Sequence, residues 1–303
     1  MAATTDQTVE AARLKLGIVL MVAALSLAAL TGALMKFLTA DMTPIQISWF
    51  RFAGFLIVVL PLALLRVGRA ALRPPRVNIQ LLRGVLMVAG NVSFIYGAIG
   101  MDYANAIAIL YVYPFLMTLF APMVLGERVP MVAWAGVVGG FLGVLIVVRP
   151  DISGIDRHAL LVLFTGLCVA AQMLLNRKLG VLVNPLVVSA WGAGTALAVL
   201  TPLIIARGGL PPVSGNTLWI LVLMALTSSS SQTMMIQALR MARAADLAPY
   251  TYSELAAATL LGLVVFGTLP DMWSWLGIGL IVVCGVAVAR AQGRLGMRRQ
   301  PKI

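Results

Sequence analysis

The chain has 303 residues, 61% of them hydrophobic and only 11% charged, and its mean hydropathy is +1.00. Soluble globular domains carry about a quarter of their residues as charges, so this composition excludes one and calls for a lipid bilayer as solvent. The net charge of +12 would fit a nucleic-acid binder if it formed a patch, but the basic residues fall between apolar stretches, where they report membrane orientation and imply no nucleic-acid partner.

Read as runs of about 20 apolar residues, the sequence predicts ten spans, at 15–38, 44–65, 77–100, 103–125 and 130–148, then at 158–179, 185–206, 217–239, 246–268 and 273–289. The first is long and follows a polar segment, which suits an uncleaved anchor better than a removable signal. With the N-terminus inside, the cytoplasmic segments hold 16 basic residues, among them Arg13, Lys15, Arg66, Arg76, Arg128, Arg177, Lys178, Arg240 and those of the tail. Only Lys36, Arg149, Arg157 and Arg207 fall outside. That bias predicts a multi-pass protein of the bacterial inner membrane with both termini cytoplasmic. Cys168 and Cys284 lie within the sixth and tenth spans, where they read as apolar interior residues and not as a disulfide framework.

The two halves align at a constant offset of 141 residues without a gap: Ala104 on Ala245, Tyr111 on Tyr252, Thr118 on Thr259, Gly126 on Gly267, Trp134 on Trp275, Gly136 on Gly277 and Arg149 on Arg290. Shared leucine or valine would reflect composition alone, whereas shared tyrosine, tryptophan and glycine reflect a repeat. Five spans per half is an odd number, so the second copy enters the membrane upside down. The predicted fold is therefore all-α and polytopic: ten transmembrane helices in two inverted five-helix repeats, 1–150 and 151–303, around a central cavity. Secondary transporters are built this way, with the substrate site between the halves near the midplane. Enzymatic readings find no motif: there is no nucleophile elbow, paired cysteine motif or phosphate-cradling loop, and neither cofactor nor metal is expected. The single histidine, His158, stands near Asp151 and Asp156 and reads as a solvated helix start rather than a metal site.

Ionisable groups at membrane depth are default markers of function unless a structural partner accounts for them. Glu254 follows Asp246 by eight residues, about 12 Å along the ninth span at the helical rise. An uncompensated acid there costs on the order of 3 kcal/mol. Three roles stay open for it: proton carrier, ligand for a substrate amine, and structural partner of Arg51 or Lys36. Tyr250 shares its helical face at i, i+4, Tyr252 lies between them in sequence, and Pro249 removes a backbone donor and predicts a kink or break. In the eighth span Thr227 to Gln232 is an unbroken polar run, with Ser228, Gln232 and Met235 on one face. Gln172 and Asn176 stand four apart in the sixth span, Tyr111 and Phe115 four apart in the fourth, and Tyr113 precedes Pro114. Glu254, Tyr250, Tyr252, Ser228, Gln232, Gln172, Asn176, Tyr111 and Tyr113 form the predicted cavity lining. Arg51 lies about 10 Å inside the second span, whereas Lys36 and Arg83, nearer span ends, are expected to snorkel. Gly136, Gly139, Gly140 and Gly143 in the fifth span, Gly277, Gly279 and Gly285 in the tenth, and the Gly90, Ser93, Gly97, Gly100 stripe of the third predict close helix packing.

The basic residue within Ile47-Ser48-Trp49-Phe50-Arg51-Phe52, and Tyr113-Pro114-Phe115 leading to Leu125-Gly126-Glu127-Arg128, resemble the EamA-type branch of the drug/metabolite transporter superfamily, and the resemblance covers nearly the whole chain. That family's Pro and downstream Gly-Glu stand here at Pro114, Gly126 and Glu127. In the second half Glu254 is followed by Leu255 where the family often has Pro, and Gly267 by Thr268 where it has Glu, so half of each motif is kept. Within the superfamily the chain is most similar to the YddG-like exporters of aromatic and neutral amino acids. The resemblance implies a basket of helices with its cavity lined by spans one, three, four, six, eight and nine, and with spans five and ten outside. It implies export of small amphipathic metabolites, amino acids first, by alternating access. Glu254 would then meet the substrate ammonium, the hydroxyls and amides of the eighth span its carboxylate, and Tyr111, Tyr113, Tyr250 and Tyr252 an apolar or aromatic side chain. Import or exchange of another metabolite or an organic cation stays open, as does a non-transporting scaffold or receptor. Proton coupling and oligomeric state are also left open.

Overall fold

The computed structural model describes residues 2–126, 129–150, 156–179, 184–210 and 212–298. Glu127 and Arg128 of the Gly-Glu motif, Asp151, and the tail residues Arg299 and Lys302 lie outside them. All regular structure among the described residues is helical: α1 (Ala2–Leu38), α2 (Pro44–Val67), α3 (Val77–Ile99), α4 (Tyr103–Leu110), α5 (Tyr113–Leu125), α6 (Met131–Val148), α7 (Arg157–Leu179), α8 (Pro185–Ile205), α9 (Gly215–Met241), α10 (Ala244–Leu247), α11 (Ser253–Phe266) and α12 (Met272–Arg298). Two 3-10 helices, Gly68–Leu72 and Ala248–Tyr252, join them. Nine helical stretches among the described residues are long and apolar enough to cross a bilayer, α4 and α5 counting as one. The ninth predicted span, 246–268, is not among them: it is divided among α10, the second 3-10 helix and α11.

Local chemistry sets the helix boundaries, and it repeats. Pro44 and Pro185 open α2 and α8 at positions where a missing N–H is harmless. Thr43 and Gln46 cap α2 reciprocally, and Asn184 caps α8 by accepting from Leu186 N–H at 3.0 Å. At the far ends of α5 and α11, Gly126 (φ 67°) and Gly267 (φ 68°) adopt the left-handed conformation that glycine takes without a Cβ penalty. The two prolines, the two glycines and the internal pair Pro61 and Pro202 are each separated by 141 residues. The sequence repeat is thus a repeat of helix starts, bends and stops.

Packing follows the same rule. α1 lies along α9 as α7 lies along α3, α11 rests on α1 as α5 rests on α7, and α2 pairs with α8 and α6 with α12. Glycine permits the closest approaches: a Cβ on Gly277 would lie 2.7 Å from Gly143 O, and one on Gly143 would lie 3.0 Å from Gly277 O. In the third-span stripe, Gly97 faces Val162 and the His158 carbonyl, and Gly100 faces the His158 ring, so the stripe seats α3 on α7. Cys168 and Cys284 are free thiols, facing Gly90 and Gly139. The main interior cluster surrounds α4 and α5, where Tyr103, Tyr111 and Phe115 are fully buried. Ile57, Met123 and Met131 are exposed, as a surface solvated by lipid tails allows.

Two basic residues depart from expectation. Arg83 does not snorkel: it is 6% exposed and donates to Gln80 Oε1 at 3.0 Å and to Val188 O of α8 at 3.4 Å. Acceptors beside the guanidinium replace the water that a helix end would supply. Lys36 also turns inward, donating to Met101 O and standing 5.0 Å from the Phe266 ring centroid, so it ties α1 to the turn before α4 and to the end of α11. Beyond the spans, Arg149 donates to Asp271 and, with help from Ser274, holds that carboxyl well below the usual carboxylate range.

Candidate functional site at the paired helix breaks

Spans four and nine are both interrupted, at equivalent places. α4 ends at Leu110 and α5 begins at Tyr113, while 141 residues further on the 3-10 helix ends at Tyr252 and α11 begins at Ser253. Proline accounts for both interruptions, from opposite sides. Pro114 has no N–H for Leu110 O and its ring crowds that carbonyl, and Pro249 does the same to Ala245. Breaks of this kind free backbone carbonyls at membrane depth. At the ninth-span break Thr251 O accepts the Tyr111 hydroxyl at 2.6 Å.

The tyrosines at the two breaks are repeat mates, and they touch. The rings of Tyr111 and Tyr252 lie 5.2 Å apart, inclined by 40°. Residues exchanged by a two-fold repeat meet only near the axis that relates the halves, so this pair marks that axis. Tyr113 adds a third ring 5.6 Å from Tyr111. Glu254, the repeat mate of Tyr113, is half-buried with its Oε2 2.9 Å from the Tyr111 hydroxyl. A phenol has one proton to donate. Given to Thr251 O, which only accepts, that proton leaves the Glu254 contact to a protonated carboxyl. Given to an ionised Glu254, it leaves Thr251 O without this donor. The three groups therefore form one proton-dependent linkage between α4 and the broken ninth span.

A second polar cluster lies among α2, α3 and α9. Arg51 donates from Nε to Ser228 Oγ at 3.3 Å and from Nη1 to Asn91 Oδ1. Asn91 Nδ2 donates to Ser48 Oγ at 2.7 Å, and Ser48 donates to Pro44 O at 2.7 Å. The Phe52 ring centroid is 5.5 Å from the guanidinium carbon. Among the described residues no carboxylate pairs with Arg51.

A family model described as the EamA-like transporter family matches residues 15–149 and 157–290, the two halves that meet at the tyrosine pair. The chain belongs to the EamA-like transporter family. A riboflavin transporter of Rhizobium johnstonii is 30% identical to this EamA-like chain over 98% of its residues and 97% of the relative's. An S-adenosylmethionine uptake transporter of Rickettsia felis is 24% identical over 82% and 83% of the two chains, and a pseudopaline exporter of Pseudomonas aeruginosa 26% over 92% and 98%. One solved crystal structure superposes with a TM-score of 0.65 at 18% identity, covering 94% of this chain and 98% of its own, a likeness of fold.

Of the residues predicted to line the cavity, this EamA-like fold gathers Tyr111, Tyr113, Tyr252 and Glu254 at the breaks and places Ser228 against Arg51. Tyr250 stands apart at 40% exposure, because a 3-10 helix turns once in about three residues and a spacing of four no longer returns to the face of Glu254. Phe115 packs on Gly140 and Phe141. Gln172, Asn176 and Gln232 are half-buried, and Asn176 Oδ1 is enclosed with no protein partner among the described residues. The polar run of α9 is divided among neighbours. Thr227 meets Thr31 of α1 at 2.9 Å, Ser228 meets Arg51, and Ser230 is exposed. The pairing of Glu254 with Arg51 considered from sequence does not form; neutral side chains on different helices engage each. Sequence reasoning missed Asn91, Ser48 and Thr31. The 141-residue offset carries Asn91 onto Gln232 and Thr31 onto Gln172, so following the repeat through the polar residues would have found two of the three.

Proposed function

We propose that this EamA-like chain is a secondary transporter of the bacterial inner membrane that moves a small metabolite bearing an aromatic or heteroaromatic ring by alternating access. The observation that carries this reading is the contact of the repeat mates Tyr111 and Tyr252 at paired helix breaks, beside an acid within the membrane. Alternating access needs two halves that rock about a shared centre, here 1–150 and 151–303. Ring faces at that centre suit a planar solute, and Glu254 suits its cationic or hydrogen-bonding part. Riboflavin and S-adenosylmethionine, the solutes in two relatives' names, both carry planar heteroaromatic rings. A second reading, export of aromatic amino acids, is favoured by the same juxtaposition of rings with an acid that would meet the ammonium.

Counterflow in liposomes containing the purified full-length protein tests both readings. Exchange of labelled riboflavin or S-adenosylmethionine supports the first, and exchange of tyrosine without either supports the second. Folded protein that exchanges none of a panel of ring-bearing metabolites would be a scaffold or receptor and would overturn the transport reading. In the active system Glu254→Gln is expected to lower flux about tenfold or more, in line with loss of a tuned proton-transfer or charge partner. Imposing a proton gradient reports coupling. Full flux in that variant removes Glu254 from the site.

A further inference from the structure

The repeat supplies an internal control for each polar group. Arg51 has Gly192 as its mate and Ser228 has Met87, and in that half the methionine reaches toward the glycine, where a Cβ would lie 3.1 Å from Met87 Cε. The fold therefore closes one copy of this junction between helices with an apolar contact and the other with a guanidinium. Ser48 and Asn91 have polar mates, Ser189 and Gln232, so the hydroxyl and amide are common to both halves. The arginine is the difference, and packing alone does not call for it.

The guanidinium is also fixed in direction. Nε is held by Ser228 at 3.3 Å, and Nη1 by Asn91, whose amide is itself anchored by Ser48 at 2.7 Å. Nη2 donates to no protein atom among the described residues. Ser228 accepts from Arg51 and keeps its own proton to donate, and the hydroxyl of Ser229, next in sequence, is buried without a partner among the described residues. Ionisable groups inside spans ordinarily pair with one another or with backbone carbonyls. Two other basic residues within the spans follow that rule, Lys36 on Met101 O and Arg83 on Val188 O. Arg51 is oriented by neutral side chains, with its charge uncompensated among the described residues. A planar guanidinium fork is matched to the oxygens of a carboxylate or phosphate.

We infer that Arg51, with the hydroxyls of Ser228 and Ser229, is an anion subsite that receives a carboxylate or phosphate carried by the transported solute. This rests on the transport reading and narrows it: the solute bears a ring and an anionic oxygen group. Matched probes test it on the purified full-length protein in detergent, by ligand-induced thermal stabilisation converted to apparent Kd. The pairs are riboflavin 5′-phosphate with riboflavin, S-adenosylmethionine with its decarboxylated form, and tyrosine with tyramine. The wild type is expected to bind the anionic member of at least one pair about tenfold tighter or more, the phosphate pair and the carboxylate pairs separating the two sources of the anion. Arg51→Gln should bring the ratio close to one while keeping the other member's binding, and Arg51→Lys, which keeps the charge but not the fork, should retain part of it. Ser228→Met copies the other half's residue, leaves Arg51 in place and should lower the ratio even if the arginine variants fail to fold. Equal binding of both members in every pair, or a ratio unchanged in Arg51→Gln or Ser228→Met, overturns the subsite and leaves the transport reading standing. Wild-type protein that no probe stabilises overturns both.

Discussion

A single hydroxyl proton links the two halves at Tyr111. Its two acceptors, Thr251 O at 2.6 Å and Glu254 Oε2 at 2.9 Å, belong to the other repeat, so Tyr111→Phe removes the donor that ties them to the first half. Losing a buried donor shared by two acceptors costs about 1–3 kcal/mol, and a lower melting temperature in detergent is the expected result. Tyr113→Phe is the control, because no hydrogen bond of its hydroxyl is found among the described residues, and it should melt near wild type. Glu254→Gln separates the two proton arrangements. If the phenol donates to Thr251 O, the new amide N–H replaces the carboxylic proton toward Tyr111 and stability stays within about 1 kcal/mol of wild type. A loss as large as that of Tyr111→Phe would show instead that an ionised Glu254 holds the tyrosine. Depth along a span was enough to single out Glu254 from sequence, and helical spacing and the repeat brought in Tyr111. Their mutual partnership was not legible, because it joins residues 143 positions apart across a contact between helices.

At the scale of helices, glycine sets how close α6 and α12 can come. Gly277 has the Gly143 carbonyl 2.7 Å from where a Cβ would stand, and backbone cannot step aside as a flexible side chain does. Gly277→Val is therefore expected to destabilise by about 1–3 kcal/mol through overpacking, read as a lower thermal midpoint in detergent and reduced membrane yield. Gly279, two residues on, has open space within 4 Å of where its Cβ would stand, so Gly279→Ala should be neutral or stabilising by up to about 1 kcal/mol through helix propensity. The glycine pattern was legible as a packing signal, but both positions look alike in sequence. The neighbouring helix decides which one is critical. The breaks show the same division. Pro249 announced an interruption in span nine, yet the matching interruption at Tyr111 lies three residues before its proline, while Tyr252 lies three after. Proline forbids a hydrogen bond and weakens the helix nearby; packing of the two tyrosines against each other coincides with the place where each helix opens.

For the whole molecule, the excess of basic residues in one set of connections predicts both termini in the cytoplasm. Reporter fusions after Gly126 and after Gly180 should report cytoplasm, and fusions near Asp102 and Ser153 should report the outside; the reverse pattern would overturn the inverted arrangement. The sequence by itself determined the membrane class, the ten segments and the 141-residue repeat. Each of these depends on apolar run length and on residues that recur at fixed spacing, which act locally along the chain. Only the tertiary structure decided that Arg51 meets Ser228 and Asn91 instead of Glu254, that Tyr250 leaves the site, and that Arg83 turns inward to Gln80 and Val188. In a bilayer interior a polar side chain is costly without a partner. For Arg51 and Arg83 a partner stands on another helix, at a sequence distance no local pattern encodes.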